Sequence, residues 1–162
     1  MTIRAATEDD IDAIRLVAKR SWETDYPEIL TRETIDAGVE DWYAREQIVD
    51  ALVPARSLLL VADHDDSVVG FAHATWSSDE HEGYILRLYV HPDHRRQGVG
   101  SELLERIRAD LSSDGVERLN AMVLAENEPG ITFYEQFGFE FVDEAQTTIG
   151  GDSYRENRYV LE

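Results

Sequence analysis

Arg95-Arg96-Gln97-Gly98-Val99-Gly100-Ser101 is the stretch that decides the fold of this 162-residue chain. It follows an apolar segment, 84–90, that is typical of a buried strand, and it precedes the spaced apolar residues of an amphipathic helix. Its glycines let the backbone approach a ligand closely, and the first N–H groups of a helix bind anions. Arg95 and Arg96 add charged donors. The stretch therefore predicts a pyrophosphate site at a strand-to-helix turn.

Two other phosphate signatures do not fit this turn. A Walker loop requires Gly-Lys-Ser/Thr, and a dinucleotide fingerprint requires Gly-x-Gly-x-x-Gly. Here Gly98-Val99-Gly100 is followed by Ser101-Glu102-Leu103. Because many helices begin with glycine for packing alone, the interpretation depends on the surrounding elements and on a second motif.

The spacing of apolar residues predicts the element order β-α-α-β-β-β-α-β-α-β-β. Thr7 and Thr31 are expected as helix N-caps, Pro129 in a first helical turn, and Gly138 as a left-handed helix end. Strand runs with interspersed helices favour a mixed sheet in one α/β or α+β domain over 1–162. The predicted strands are 2–6, 57–62, 68–76, 84–90, 119–124, 139–149 and 153–161. The second predicted helix runs from Thr31 through Trp42 towards Leu52.

The composition excludes several classes of chemistry. The chain has no cysteine, so disulfides, thiolate nucleophiles and cysteine-ligated zinc are excluded. No His-carboxylate spacing suggests a metal site, and none is predicted. No apolar run approaches the ~20 residues of a membrane span, and residues 1–4 lack the core of a secretory signal. We therefore expect a cytoplasmic protein without a membrane partner.

The charge is strongly acidic. Asp and Glu number 34 against 15 Lys and Arg, which gives a net charge of −19, and Lys19 is the single lysine. Such a surface repels nucleic acid and anionic lipid. At about 1 M salt the Debye length is only ~3 Å, which screens the self-repulsion. The lysine-poor, arginine-retaining pattern favours a salt-adapted, halophile-like protein over an ordinary acidic one.

Two blocks resemble motifs of the GNAT superfamily of acetyltransferases. Residues 95–100 resemble its Arg/Gln-x-x-Gly-x-Gly/Ala signature, and Leu88-Tyr89-Val90-His91-Pro92 resembles the strand that leads into it. Residues 127–139 read Asn-Glu-Pro-Gly-Ile-Thr-Phe-Tyr-Glu-Gln-Phe-Gly-Phe. They are similar to the family's second block, Asn-x-x-Ala-x-x-Phe-Tyr-x-x-x-Gly-Phe, with Gly130 in place of alanine. The blocks span about a third of the chain, 84–139, in the family's order.

The resemblance implies a mostly antiparallel sheet of six or seven strands flanked by about four helices. It also implies an acetyl-CoA-dependent N-acetyltransferase that acetylates a primary amine of a small molecule or a peptide directly, without an acyl-enzyme. Acetyl-CoA would lie between two splayed strands, 84–90 and 119–124. The implied cofactor-binding residues are Leu88, Tyr89, Val90, Arg95, Arg96, Gln97, Gly98, Val99, Gly100, Ser101, Asn127 and Tyr134.

Tyr134 is also the implied general acid. The departing thiolate has a pKa near that of a free thiol, ~8.5, and a phenol of pKa ~10 can hydrogen-bond or protonate it at neutral pH. Without the motif, Tyr134 would be assigned to the core beside Phe133 and Phe137. With the motif, the acid role is favoured.

A base is needed because most amines, with a pKa of ~10.4, are protonated at neutral pH. The acidic residues 79–82 precede the strand on which the family often places a base, and Tyr84 occupies the usual acidic position. Glu82 is two residues earlier and shares its face if the strand extends that far. Glu82 is therefore the candidate base, although a solvated acidic turn at 79–82 is an equal alternative.

Several alternatives remain open. Ribosomal-protein N-terminal acetyltransferases look similar but place a base Glu where this chain has Met122, although Glu126 is near. A non-catalytic acetyl-CoA-binding regulatory domain is the main alternative function. The retained Tyr134 favours an enzyme over this alternative. The acceptor pocket is expected at the 23–35 connection and the 143–153 hairpin, and a homodimer is possible.

Overall fold

A seven-stranded sheet with strand order β1-β2-β3-β4-β5-β7-β6 organises the chain in a computed structural model that describes residues 1–27, 29–52 and 57–162. All neighbouring strands are antiparallel except β4 and β5, which are parallel. The strands are β1 (Thr2–Ala5), β2 (Leu58–His64), β3 (Ser67–Ser77), β4 (Glu82–Val90), β5 (Arg118–Leu124), β6 (Glu140–Ile149) and β7 (Asp152–Leu161). The helices are α1 (Ile11–Asp25), α2 (Arg32–Trp42), α3 (Arg45–Ala51), α4 (Val99–Ser113) and α5 (Glu128–Phe137).

The predicted fold class and sheet are confirmed, with one helix more than expected in the described ranges. The second predicted helix is interrupted after Trp42 and resumes at Arg45. At the interruption the Tyr43 side chain is fully buried, and its backbone oxygen accepts a hydrogen bond from Arg15 Nε at 2.8 Å. The interruption therefore places the Tyr43 ring in the core. The apolar pattern of 31–52 is compatible with one continuous helix and does not reveal the interruption.

Local signals placed most helix ends correctly. The Thr31 hydroxyl accepts from Thr34 N at 3.1 Å and caps α2. Pro129 lies in the first turn of α5, and Gly138 ends that helix in the left-handed region at φ 118°. Thr7 precedes a single 3-10 turn that leads into α1 rather than the α-helix itself.

The sheet separates two apolar cores. On one face α4 and α5 pack over strand residues such as Ile85 and Ala121, and on the other α1, α2 and α3 pack over residues such as Phe71 and Tyr89. The first is called the α4 face here and the second the α1 face. Both faces of the central strands are covered, which explains their nearly continuous apolar sequences.

One extra residue in β4 opens the sheet. His73 of β3 pairs with Arg87, but the next residue, Ala74, pairs with Ile85, so Leu86 has no partner across the pair. Such a β-bulge bends its strand. The parallel pairing of β4 with β5 also ends here, at Ile85 opposite Ala121. Beyond that point the two strands diverge and leave a wedge.

Candidate functional site

The closed end of the wedge is held by buried polar contacts. The Asn120 side chain, which is 1% exposed, donates from Nδ2 to the Gly83 oxygen at 3.1 Å. Its Oδ1 accepts from Arg158 Nη1 at 2.9 Å, and Arg158 also pairs with Asp143 at 2.8 Å. Because a buried amide left without partners is costly, these bonds favour the paired state of β4 and β5 at this end.

The open end of the wedge exposes backbone groups of β4. The His91 N–H donates to the Val69 oxygen at 2.8 Å, so His91 is directed towards β3. Because alternate residues of a strand direct their backbone groups to opposite sides, Tyr89 is also directed towards β3, whereas Leu88 and Val90 are directed towards the wedge. These are the two backbones expected to hold an extended cofactor arm.

The turn at 95–101 leaves N–H groups free at the start of α4. Arg96 and Gly98 both have positive φ, 63° and 81°. The first N–H that bonds back into the helix is that of Glu102, to the Gly98 oxygen at 3.0 Å. The N–H groups of 99–101 precede it and have no intrahelical acceptor. The turn is thus an anion site of the kind that the glycines predict.

Arg95 departs from the expected arrangement. Its guanidinium pairs with the Asp25 carboxylate, with Nη2 to Oδ2 at 2.9 Å, and its Nε donates to the Val90 oxygen at 3.2 Å. The same oxygen accepts from the Ser21 hydroxyl at 3.2 Å. Arg95 therefore ties the turn to α1, and its guanidinium is already paired with a carboxylate. Arg96 is exposed at the turn.

Gly100 joins the two motif blocks. A Cβ at this position would lie 3.2 Å from Cε1 of Phe133 on α5. The absence of a side chain therefore lets the start of α4 approach α5 closely. Val99 is 3% exposed and packs into the α4-face core, which leaves its N–H as the group available to a ligand. Gln97 and Ser101 are exposed on the same turn.

Tyr134 lies on α5 and is 8% exposed. Its ring packs edge-on between Phe133 and Phe139, with centroids 5.2 Å from each. Its hydroxyl makes no hydrogen bond to the residues that the structure describes. Burial, with a smaller contribution from Tyr89, raises the pKa of Tyr134 well above its usual value. The phenol is therefore protonated at neutral pH and able to donate.

Tyr89 belongs to the opposite face of the sheet. Its hydroxyl lies 3.3 Å from the Tyr26 hydroxyl, and its ring packs against Tyr43 and Phe71. Tyr26 was expected at the acceptor pocket, whereas the hydroxyl pair was not foreseen.

Asn127 caps α5. Its Oδ1 accepts from the Gly130 N–H at 3.2 Å. A Cβ on Gly130 would lie 2.6 Å from Asn127 Nδ2, so the glycine at the usual alanine position gives this side chain room. Asn127 thereby fixes the backbone that enters α5 and positions Tyr134 indirectly.

Glu82 lies at the closed end, three strand positions before the last β4–β5 pair. It is the first residue of β4 and pairs in register with Arg118. Its Oε1 lies 3.5 Å from Arg118 Nη1, and its Oε2 accepts from the Tyr84 hydroxyl at 3.2 Å. The strand does extend to Glu82, as its assignment required. The carboxylate, however, already has two partners.

A small open cleft lies on the α1 face, at the end of β5 and the start of β7. It is lined by Ile29, Leu124, Ala125, Glu126, Tyr154 and Arg155. Ile29 comes from the 23–35 connection expected at the acceptor pocket, and Tyr154 lies on β7 one residue beyond the expected 143–153 hairpin. Glu28 in the connection lies outside the described residues. In the described ranges no three His or acidic side chains are grouped to hold a metal ion.

The comparisons with known proteins agree with this geometry. The Acetyltransferase (GNAT) family profile matches residues 13–139. The chain belongs to the GNAT acetyltransferase family. It is similar to a spermidine N(1)-acetyltransferase of Thermoplasma acidophilum, with 27% identity over 161 residues, which cover 97% of this chain and 96% of that one.

Solved GNAT structures share the fold along nearly the whole chain. The PaiA N-acetyltransferase of Thermoplasma acidophilum in complex with coenzyme A superposes with a TM-score of 0.84 at 24% identity, covering 96% of each chain. The ribosomal-protein-S18-alanine N-acetyltransferase of Escherichia coli has a TM-score of 0.74 at 21% identity, covering 99% of this chain and 92% of that one. As a GNAT member the chain is an N-acetyltransferase with acetyl-CoA as its acetyl donor. No helix in the described ranges is long and apolar enough to cross a membrane.

Proposed function

We propose that this GNAT protein binds acetyl-CoA in the wedge between β4 and β5 and transfers the acetyl group directly to a primary aliphatic amine. The observation that carries this proposal is the wedge itself, which opens at Leu86, where the pairing of β4 with β5 ends. Pyrophosphate would accept from the N–H groups of the turn. The pantetheine arm would bond to the backbones of Leu88 and Val90, as an added strand does.

Direct transfer follows from the residues that line the wedge. The neutral amine attacks the thioester carbon, a C–N bond forms, and the C–S bond breaks. Tyr134 donates its proton to the departing thiolate sulfur, while a base accepts the proton that the amine loses. The chain has no cysteine to carry an acyl group. Glu82 is the base that the sequence suggests, but in that role it would have to give up its contacts with Arg118 and Tyr84.

The acceptor would enter through the cleft at Tyr154 and Glu126. A relative similar over its full length is named for acetylating spermidine, which is a polycationic aliphatic amine. Glu126 on the cleft rim and the net charge of −19 would attract such a cation. Within the class of small-molecule and peptide amines, a polyamine is therefore the acceptor we propose.

A panel of amines tests the acceptor. Release of free coenzyme A should be measured with spermidine, a monoamine of similar length and a peptide with a free N-terminus. We expect the highest kcat/KM for the polyamine, because the charges beyond the reacting nitrogen interact with Glu126 and with the net negative charge of the protein. Equal kcat/KM for the monoamine would contradict the polyamine assignment. Acetyl-CoA binding without transfer to any amine would instead support a regulatory domain.

Three further properties are part of the proposal. The chain would act in the cytoplasm as one domain over 1–162. A homodimer would pair through β6, the edge strand of the sheet, which exposes Phe141 and Val142. Sedimentation of the wild type and of a Phe141→Glu variant tests the dimer, and a monomer in both would exclude it.

Salt adaptation is the remaining proposed property. Acidic side chains outnumber basic ones 34 to 15, so more than half of the acids cannot each have a basic partner. At 0.01 M salt the Debye length is ~30 Å, and their repulsion extends across the molecule. We expect the melting temperature to rise from low to molar KCl. A flat or falling melting temperature over that range would refute this property.

A further inference from the structure

Glu156 on β7 is a carboxylate that neither the motifs nor its sequence context single out. It pairs in register with Leu124 of β5 and with Ala145 of β6. Because cross-strand partners share a face, Glu156 lies on the α1 face with Leu124 and Tyr154, which both line the cleft. It is therefore on the side of the sheet from which the acceptor would enter.

Glu156 lies on β7 at the level of the open half of the wedge, one strand beyond β5. Ala121 marks the last β4–β5 pair, and Leu124, opposite Glu156, is three residues beyond it. Arg118, opposite Glu82, is three residues before it. Glu82 and Glu156 therefore pair with β5 residues that are six positions apart. At about 3.3 Å per residue, these two positions are separated by roughly 20 Å along β5, one on each side of the point where β4 and β5 diverge.

Other acidic side chains close to the α1 face already have partners or lie in solvent. Asp25 pairs with Arg95, Glu23 with Arg20, Asp143 with Arg158 and Glu82 with Arg118, while Glu126 is exposed on the rim. Glu156 is half-buried and has no hydrogen bond or ion pair with the described residues. Burial alone raises its pKa above the usual value of a glutamate. Such a carboxylate accepts a proton more readily than a solvated one.

We infer that Glu156 is the proton acceptor of the transfer reaction, placed beside the cleft to take the proton that the amine loses as it attacks the thioester. This inference rests on the proposed function. The proton passes from the amine nitrogen to a Glu156 carboxylate oxygen while Tyr134 protonates the thiolate on the other side. Acid and base are then held on opposite faces of the sheet and meet through the wedge.

The decisive variant is Glu156→Gln, compared with Glu144→Gln. Glu144 is a matched control because it is an exposed acid on the neighbouring strand and pairs with Asn157 rather than with Glu156. We expect Glu156→Gln to lower kcat by about 10²–10⁴-fold, the usual range for a general base, with acetyl-CoA affinity unchanged. The deficit should shrink towards pH ~9.5, because more of an amine with pKa ~10.4 then arrives neutral. Glu144→Gln should behave as the wild type.

The pH profile separates Glu156 from its neighbours. The titratable and charged groups on its face or at the adjacent cleft are Tyr154, Arg158 and Asp143 on the strands, Tyr26 at the end of α1, and Glu126 and Arg155 at the cleft. The hydrogen bond from Arg158 lowers the pKa of Asp143, whereas burial raises that of Glu156, so Glu156 should set the acidic limb of kcat in the wild type. Loss of that limb in Glu156→Gln is the expected result, and its persistence would overturn the inference.

Stability provides a readout that a structural role would not produce. An unpaired, half-buried carboxylate with a raised pKa destabilises the folded state at pH values above that pKa. The melting temperature of Glu156→Gln at pH 7 should therefore be no lower than that of the wild type. Any difference in melting temperature between the two proteins should disappear in acid, where the carboxyl is protonated. A lower melting temperature with a proportionate loss of kcat would make Glu156 structural. An active wild type with an unaffected Glu156→Gln overturns only this inference, as does a larger loss in Glu82→Gln. A wild type that transfers acetyl to no amine overturns the proposed function as well.

Discussion

The two halves of β4 have different roles: one pairs with β5, and the other is left open to a ligand. From Glu82 to Ile85 it pairs with β5, and the buried Asn120 side chain fastens the pair. Beyond Leu86 the strand no longer pairs with β5, which leaves the backbone of Leu88 and the N–H of Val90 for a ligand, since the Val90 oxygen accepts from Arg95 and Ser21. A single bulged residue thus divides a stabilising region from a binding region, so substitutions in one half should leave the other largely unaffected.

The largest expected effect belongs to the open half. Tyr134→Phe removes a hydroxyl that acts mainly as the thiolate leaves, so kcat should fall by about 10²–10⁴-fold while acetyl-CoA affinity changes little. Steady-state kinetics with the best amine and calorimetry with acetyl-CoA measure the two quantities. Phe133→Leu, a change to the adjacent ring, is the control for packing. Unchanged turnover in Tyr134→Phe would return Tyr134 to the core.

The second effect concerns the anion site. Gly98→Val places a side chain beside the free N–H groups of 99–101 and strains a backbone at φ 81°. Because each hydrogen bond to a charged group is worth about 1.5–3 kcal/mol, loss of one or two should weaken acetyl-CoA binding by roughly 100-fold. Calorimetry with acetyl-CoA measures the effect.

Gly115→Val is the matched control for Gly98→Val. Gly115 has φ 86°, so the substitution brings a similar backbone strain at a turn after α4, away from the wedge. We expect similar losses of thermal stability in the two variants and normal binding in Gly115→Val. Normal acetyl-CoA affinity in folded Gly98→Val would contradict the assignment of the turn.

The sequence predicted the features that depend on neighbouring residues. Thr31, Pro129 and Gly138 act within one turn of a helix, so their roles follow from local chemistry. Gly98 was singled out by the glycine turn before an amphipathic helix and by the family resemblance, and Asn127 by the resemblance. The resemblance also assigned the acid role to Tyr134, whose position between two phenylalanines would otherwise indicate a core residue.

The features that depend on distant partners could not be predicted. Nothing near Arg95 indicates that Asp25, 70 positions away, would bind it. The bulge at Leu86 is hidden because both faces of β4 are apolar, so the alternation that would reveal a shift is absent. Glu156 looks like one more charged residue in an acidic chain. Only the structure shows that the Glu156 carboxylate has no ion pair with the described residues, because nearby arginines such as Arg158 pair with other carboxylates.

The third effect concerns the residue opposite the bulge. His73 is 7% exposed and lies 3.5 Å from Arg87, and burial together with that charge lowers its pKa from 6.5 to about 4. The unfolded chain binds the proton below pH 6.5 and the folded chain only near pH 4, so stability is lost as pH falls through that window. The full linkage amounts to about 3 kcal/mol, of which about 2 kcal/mol falls between pH 7 and pH 5. Chemical denaturation of the wild type and His73→Gln at pH 7 and pH 5 measures it, and equal pH dependence of the two would exclude His73 as the cause.

The smallest expected effect concerns the closed half. Asn120→Ala leaves the Gly83 oxygen and one Arg158 nitrogen without their partners, which should cost about 2 kcal/mol. For a domain of this size that corresponds to a melting temperature lower by roughly 4–8 °C. Because Asn120 faces the paired end, kcat and acetyl-CoA affinity below the transition should be unchanged.

Asn127→Ala gives the contrasting result in the open half. The loss of this N-cap should cost only about 1 kcal/mol, but it loosens the start of the helix that carries Tyr134. Asn127→Ala should therefore lower kcat and acetyl-CoA affinity more than Asn120→Ala while destabilising the fold less. If Asn120→Ala impaired turnover as strongly as Asn127→Ala, the bulge would not separate the two halves, because strain at the closed end would then be transmitted along β4 to the wedge.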